Sequence, residues 1–277
     1  MTALPRRRLG RTGVEVTALG LGGEGILRTY KRHQEAQAVI RAALDAGIRY
    51  FESARAYADS EVYLGHGLQG YRDQVFLTSK AHGRSRAEAE AQLHTTLKNL
   101  QTDHLDLWQV HDLRTKAEVM AIGRPGGALE AFYRAKEQGK TRFIGVTGHH
   151  NPDILQLALE TYDFDTVLLP VNPAEPHYRS FLPLAAEAAA KGLGVIGMKV
   201  LCRGILVEIY ETGLPYFLQY ALSQPVSVIV VGADTVAQVQ ELAAAAANFT
   251  PMSAERQQML VDHMRLHGRQ MMYYKRR

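Results

Sequence analysis

The feature that most constrains the fold is a regular alternation of short apolar runs with segments of helical periodicity. Eight runs have strand-like length and composition: TALGLG, IRYFES, QVFLTSK, HLDLWQV, TRFIGVT, TVLLPVN, GVIGMKV and VSVIVVG. Strands without polar alternation are buried on both faces, as in a parallel sheet covered by helices. Eight such units in a chain of 277 residues predict an α/β fold, a (β/α)8 TIM barrel.

The intervals between these runs carry helical periodicity, and several helical segments end on glycine, as in LDAGIRYF and KEQGKTRF. Before the first strand, the segment RRLGRTGVEVTALGLGG contains Gly13 and predicts an N-terminal β-hairpin. After the last unit, SAERQQMLVDHMRLHG predicts an extra C-terminal helix. Because no linker-like stretch interrupts the chain, we expect residues 1–277 to form a single domain.

One motif favours a different fold. GLGGEG places Gly20, Gly22 and Gly25 in a G-x-G-x-x-G pattern after a strand, and Glu52 ends the next strand, as in Rossmann dinucleotide-binding domains. In that fold the last glycine opens a helix directly, whereas ILRTYKR follows Gly25 here. The number of strands therefore favours the barrel, with a two-domain Rossmann dehydrogenase as the alternative.

Composition restricts the partners. The net charge of +4 is spread along the chain, which argues against nucleic acid and is compatible with a small anionic ligand. No apolar stretch approaches the roughly 20 residues that cross a bilayer, and no signal-peptide core follows the basic N-terminus, so we expect a cytoplasmic protein without a membrane partner. The single cysteine, Cys202, cannot form a disulfide within the chain, and we expect no metal site. The sequence does not indicate the oligomeric state.

Four titratable residues fall where catalytic groups lie in such a barrel, at the C-terminal ends of strands and in the loops after them. Glu52 ends the second run, with Tyr57 in the following loop, Lys80 ends the third run and His111 the fourth. An ammonium group beside a phenol lowers its pKa, and a carboxylate holds that ammonium in place. We therefore predict Tyr57 as proton donor, Lys80 and Glu52 as its partners, and His111 as a hydrogen-bond donor to a carbonyl oxygen.

These segments resemble the aldo-keto reductases over nearly the whole chain. FESARAY and SEVYLG look like the family pattern FDTAxxYGxSExxLG, LTSK is similar to its lysine strand, and LDLWQVH to its histidine strand. ALEAFYRAKEQGKTRFIGVTGH resembles the segment entering the fifth strand, and VGADTVAQVQE the cofactor loop after the eighth. The likeness is to prokaryotic branches, and a single cysteine leaves no iron-sulfur extension.

The resemblance implies an NAD(P)H-dependent oxidoreductase that reduces aldehydes or ketones to alcohols, with hydride from the nicotinamide and a proton from Tyr57. The implied partner is a small carbonyl substrate, and the implied cofactor is NADPH, with NADH as the alternative. By the same matching the cofactor would be held by Gly22, Gly23, Thr147, Gly148, Met198, Lys199, Leu201, Gly232, Gln238 and Glu241.

Departures from the family pattern motivate a second hypothesis. Glu52 stands where the family has aspartate, and Thr147 and Gly148 stand where serine and asparagine are usual. A catalytically weak nucleotide-binding sensor or regulatory subunit on the same barrel is therefore the alternative function. The loops expected at the rim, such as DLRTKAEVMAIGRPGG and the C-terminal tail, contain no residue pattern that indicates a physiological substrate.

Overall fold

The computed structural model describes residues 3–209 and 213–275. Eight parallel strands close into a barrel, which confirms the predicted (β/α)8 TIM barrel and excludes the open Rossmann sheet. Each predicted run overlaps one barrel strand: β3 (Leu19–Gly25), β4 (Tyr50–Glu52), β5 (Phe76–Ala81), β6 (Leu105–Val110), β7 (Thr141–Thr147), β8 (Thr166–Pro170), β9 (Gly194–Met198) and β10 (Val228–Ala233). Strand β10 pairs with β3 to close the sheet.

Helices cover the barrel in the predicted intervals. They are α1 (His33–Asp45), α2 (Ser60–Gly67), α3 (Arg86–Leu100), α4 (Lys116–Gly123), α5 (Ala128–Glu137), α6 (Pro152–Thr161), α7 (Leu182–Ala190), α8 (Ile205–Ile209), α9 (Leu214–Leu222), α10 (Val236–Ala247), α11 (Ala254–Met264) and α12 (Gly268–Met271). Helix α11 is the predicted C-terminal helix. Within the described residues, no helix is long and apolar enough to cross a membrane.

One helix was missed by the sequence reasoning. The segment DLRTKAEVMAIGRPGG, taken as a loop, contains α4. The Thr115 side chain accepts a hydrogen bond from the backbone N–H of Glu118, whose own side chain caps the backbone of Thr115. This reciprocal cap is encoded by a threonine three residues before a glutamate, a signal present in the sequence.

The N-terminal end of the barrel is closed. Strands β1 (Arg6–Arg8) and β2 (Glu15–Thr17) form the predicted antiparallel hairpin, which places the buried Leu9 and Val16 against the barrel interior. Above them Tyr50 stacks on Phe76, with ring centroids 5.3 Å apart. Apolar side chains therefore fill the lower barrel, and the polar chemistry lies at the opposite mouth, at the C-terminal ends of the strands.

Candidate active site

The ends of β4 and β5 hold a buried ion pair. Glu52 is the last residue of β4 and Lys80 the penultimate residue of β5. The Lys80 ammonium donates to Glu52 Oε1 at 2.6 Å and to the carbonyl oxygen of Ser53 at 2.9 Å. Both side chains are at most 5% exposed. The longer glutamate therefore reaches the lysine, and the pair fixes one wall of the mouth.

Tyr57 lies over this pair, in the loop between β4 and α2. The Lys80 ammonium is 4.7 Å from the centre of the phenol ring, and the Arg28 guanidinium is 4.8 Å from it. Gly23 packs beneath the ring, where a Cβ atom would lie 2.9 Å from Tyr57 Cδ2. Any larger residue at position 23 would displace the tyrosine.

The charge environment keeps the Tyr57 phenol protonated. Burial raises its pKa well above the ordinary value, and the carboxylates of Glu52 and Glu24 raise it further. The net shift is therefore upward, against the expectation of a lowered pKa, and Lys80 lies over the ring rather than hydrogen-bonding the hydroxyl. Burial also lowers the pKa of Lys80, against the opposing effect of Glu52.

His111 lies on the other side of Tyr57, directly after β6. The two rings meet edge to face with centroids 5.8 Å apart, and the His82 ring is 4.0 Å from that of His111. Burial lowers the pKa of His111 well below its usual value, and the nearby Lys80 and His82 lower it further. His111 is therefore a neutral imidazole at neutral pH, and it offers a hydrogen bond rather than a charge.

A second polar group follows His111 along the rim. Asp112 adopts a left-handed backbone conformation with φ of 54°, and its carboxylate lies 2.6 Å from Arg114 and 3.3 Å from His149. Burial lowers the pKa of His149 to about 3, although Asp112 opposes the shift.

Among the described residues, no cluster of three or more histidine, cysteine or acidic side chains is arranged to hold a metal ion.

The loop that carries Tyr57 is anchored by a residue that the sequence reasoning missed. Glu61, 1% exposed in α2, accepts hydrogen bonds from the hydroxyls of Ser79 at 2.8 Å and Thr96 at 2.7 Å. It also pairs with Arg55, two residues before Tyr57. The glutamate of SEVYLG was thus a visible signal, and it ties the loop to β5 and α3.

A cavity of about 410 Å³ opens beside Tyr57 and extends across the ends of β3, β9 and β10. This volume lies within the range of small-ligand pockets. Most of the residues that the resemblance assigned to the cofactor line it, together with two of the four titratable groups: Gly22, Met198, Lys199, Leu201, Gly232, Gln238, Glu241, Glu52 and Tyr57. A Cβ atom on Gly232 would lie 2.7 Å from the Glu24 backbone, so this glycine lets β10 approach β3 closely at the edge of the cavity.

Three of the assigned residues lie outside the cavity lining. Gly23 packs beneath Tyr57, as described above. The hydroxyl of Thr147 accepts the backbone N–H of Asp112 at 2.8 Å, and Gly148 packs against Leu155. These contacts orient Thr147 and Gly148 toward the barrel wall rather than toward the cavity.

Gln238 lines the cavity but has one end already occupied. Its side-chain oxygen accepts the backbone N–H groups of Asp234 at 2.6 Å and Thr235 at 3.2 Å, which caps the first turn of α10. Only the amide nitrogen of Gln238 is left to face a ligand. The cap holds the loop after β10 in place.

The cavity also has charged lining residues that the sequence reasoning did not assign, namely Glu24, Arg203 and Asp234. Arg203 stacks on Tyr273, with its guanidinium 4.9 Å from the ring centre, and has a left-handed φ of 61°. Its exposure to the cavity depends on this unusual backbone conformation, which no local sequence pattern indicated.

Comparison with known proteins found a matching family model and similar chains. The sequence model described as "Aldo/keto reductase family" matches residues 18–217. L-galactose dehydrogenase from Arabidopsis thaliana is 28% identical over 88% of this chain and 89% of its own length. An aldo-keto reductase from Bacillus halodurans superposes with a TM-score of 0.78 at 23% identity, covering 94% of this chain and 96% of that one.

An aldo-keto reductase from Klebsiella pneumoniae, solved in complex with NADPH, superposes with a TM-score of 0.74 at 22% identity, and 96% of each chain is covered. The family match spans well over half of the sequence. The chain therefore belongs to the aldo/keto reductase family, and the prediction that it is an oxidoreductase of this family is confirmed.

Proposed function

We propose that this aldo/keto reductase uses NADPH to reduce an aldehyde or ketone to an alcohol, with Tyr57 as the proton donor. The observation that carries the proposal is the convergence of Tyr57, the Glu52–Lys80 pair and His111 at one barrel mouth, beside a 410 Å³ cavity. Catalytic groups in such barrels lie at this end of the strands.

The cavity residues fit a dinucleotide with phosphate groups. Lys199 and Arg203 supply positive charge in the lining, and Gly22 and Gly232 contribute only backbone atoms to it. Met198 adds an apolar side chain to the lining, suited to contact with a nicotinamide ring. The NADPH-bound relative from Klebsiella pneumoniae makes NADPH the first cofactor to test, with NADH as the comparison.

When bound, the cofactor would supply a hydride to the carbonyl carbon. The residues of this chain manage the oxygen. Tyr57 holds its proton at neutral pH and is positioned to donate it as negative charge develops on the carbonyl oxygen. Lys80, 4.7 Å from the ring, stabilises the phenolate that is left, and neutral His111 donates a hydrogen bond to the same oxygen.

The Glu52 contact bears on the alternative function, a nucleotide-binding sensor. Glu52 in place of aspartate was one reason for that hypothesis, yet its carboxylate lies 2.6 Å from the Lys80 ammonium. The second reason was the small number of polar groups available to bind the nicotinamide carboxamide. It still supports the sensor hypothesis, because Thr147 and Gly148 do not line the cavity. Turnover with a carbonyl substrate decides between the two.

The test uses NADPH carrying deuterium at the transferable position of C4. The purified protein is mixed with this cofactor and with 4-nitrobenzaldehyde, and the absorbance of NADPH is followed. Oxidation of L-galactose with NADP⁺ is tried in parallel, because L-galactose dehydrogenase is among the similar proteins. We expect cofactor consumption only when a carbonyl compound is present, and deuterium on the carbinol carbon of the product.

Two results would contradict the proposal in different ways. Tight NADPH binding without oxidation by any carbonyl compound favours the sensor. If neither NADPH nor NADH binds, the proposal that the protein uses a nicotinamide cofactor is wrong.

A further inference from the structure

An acidic side chain lies among the basic residues of the cavity. Glu24, near the end of β3, places its carboxylate 2.9 Å from Arg28 and 3.4 Å from the Lys199 ammonium. The Glu24 side chain is 28% exposed and that of Lys199 is 12% exposed, so this contact is largely shielded from water. A phosphate-binding cavity has no electrostatic need for a carboxylate at this place.

The carboxylate of Glu24 is charged at neutral pH. Burial acts to raise its pKa, but Lys199, Arg28 and Arg203 together outweigh burial and hold the pKa below its ordinary value. The cavity lining also includes the acidic residues Asp234 and Glu241, in addition to Glu24 and the catalytic candidate Glu52.

We propose that Glu24 is an internal counter-ion that competes with the cofactor phosphates for Lys199 and thereby weakens cofactor binding. The inference rests on the proposed use of a phosphate-bearing dinucleotide. On binding such a ligand, Lys199 would have to give up its contact with Glu24 in order to hold a phosphate oxygen. Glu24 thus sets the affinity for the cofactor and favours its release.

The test is the dissociation constant of NADPH, measured by titration calorimetry on the wild-type protein and on Glu24→Gln. The substitution keeps the shape of the side chain and removes its charge. Releasing the Lys199 ammonium from a carboxylate 3.4 Å away in a partly shielded site is expected to tighten NADPH binding about tenfold. The affinity of the variant is also expected to fall more steeply with added salt, since more net positive charge faces the ligand.

Glu187→Gln is the matched control. Its carboxylate lies 2.6 Å from Lys191 on the exposed face of α7, away from the cavity, so the net charge of the protein changes equally. We expect this control to bind NADPH with the wild-type affinity. In a Lys199→Met background, Glu24→Gln is expected to gain much less than tenfold, because the competition acts through Lys199.

Glu24→Ala repeats the measurement if the glutamine variant fails to fold, as judged by circular dichroism. The inference is overturned if the neutral variants bind NADPH with unchanged or weaker affinity, which would make Glu24 a support for Lys199. If the wild-type protein and the neutral variants all fail to bind NADPH, the inference and the proposed cofactor are overturned together. Binding by the wild-type protein without a gain in the variants overturns the inference alone.

Discussion

Replacing Lys80 by methionine tests how strongly the buried pair at the mouth is coupled. The substitution keeps an unbranched side chain but leaves the Glu52 carboxylate, 4% exposed, without the ammonium that lies 2.6 Å away. The carbonyl of Ser53 also loses its 2.9 Å hydrogen bond. Removing one partner of a buried ion pair costs about 3–5 kcal/mol, because the remaining charge is desolvated without compensation.

The assay is urea unfolding followed by the fluorescence of Trp108, the single tryptophan, which is fully buried and stacked on Phe132 with ring centroids 3.7 Å apart. We expect Lys80→Met to lower the free energy of unfolding by about 3–5 kcal/mol. The double variant with Glu52→Gln regains at least half of this loss, since it has no unpaired charge.

Lys191→Met is the matched control for that experiment. Lys191 and Glu187 are also 2.6 Å apart, but their side chains are 59% and 43% exposed. Exposed pairs contribute about 0–1 kcal/mol, so this variant should be close to the wild type. An equally small loss for Lys80→Met would refute the argument that burial makes the Glu52–Lys80 pair costly to break.

Three other predictions concern buried groups. The pKa of His149 is lowered from 6.5 to about 3, so between these pH values the unfolded chain binds a proton at this position and the folded chain does not. The free energy of unfolding therefore falls as the pH drops through that interval. In urea titrations, His149→Asn should reduce this loss, whereas the control His150→Asn should keep it. Burial raises the pKa of Cys202 to about 12, so an aromatic disulfide reagent should label the native thiol far more slowly than the unfolded one, and equal rates would contradict this. Lys275→Met should lower the thermal midpoint by several degrees, because Glu175 lies fully buried 2.7 Å from that ammonium; no change would show that the pair is dispensable.

The sequence predicted the barrel because its signal is repeated eight times and the strands lack a regular polar alternation. The same regularity located Glu52, Lys80 and His111, since each lies at or beside the end of such a strand. Closure of the barrel then brings together residues far apart in the chain. Their proximity could therefore be predicted from the fold alone, without any sequence signal that links one of these residues to another.

The rest of the site depends on contacts that a single sequence does not display. The direction in which Lys80 approaches Tyr57 is set by its bonds to Glu52 and Ser53, so the phenol faces the ammonium with its ring. The sign of the pKa shift at Tyr57 follows from its burial and from how closely Glu52 and Glu24 approach it, and the motif gives neither quantity. The cavity face of Arg203 likewise depends on a left-handed backbone conformation.

The pairing of Glu24 with Lys199 illustrates the same limit. The two residues are 175 positions apart, and they meet only because β3, β10 and β9 are neighbours in the closed sheet. The glycine pattern around Glu24 drew attention to a Rossmann motif, whereas the glycines of β3 allow close packing at the barrel mouth. The local motif thus identified the strand correctly and the fold incorrectly.

The central claim is that the Tyr57 hydroxyl delivers the proton to the reduced carbonyl. The most direct measurement is stopped-flow mixing of the NADPH-loaded protein with 4-nitrobenzaldehyde, for the wild type, Tyr57→Phe and a control, Tyr30→Phe, whose tyrosine is 70% exposed. We expect single-turnover oxidation of NADPH to slow by about 10²–10⁴-fold in Tyr57→Phe, with the NADPH affinity retained and the control unchanged. Oxidation at the wild-type rate in Tyr57→Phe would contradict the account.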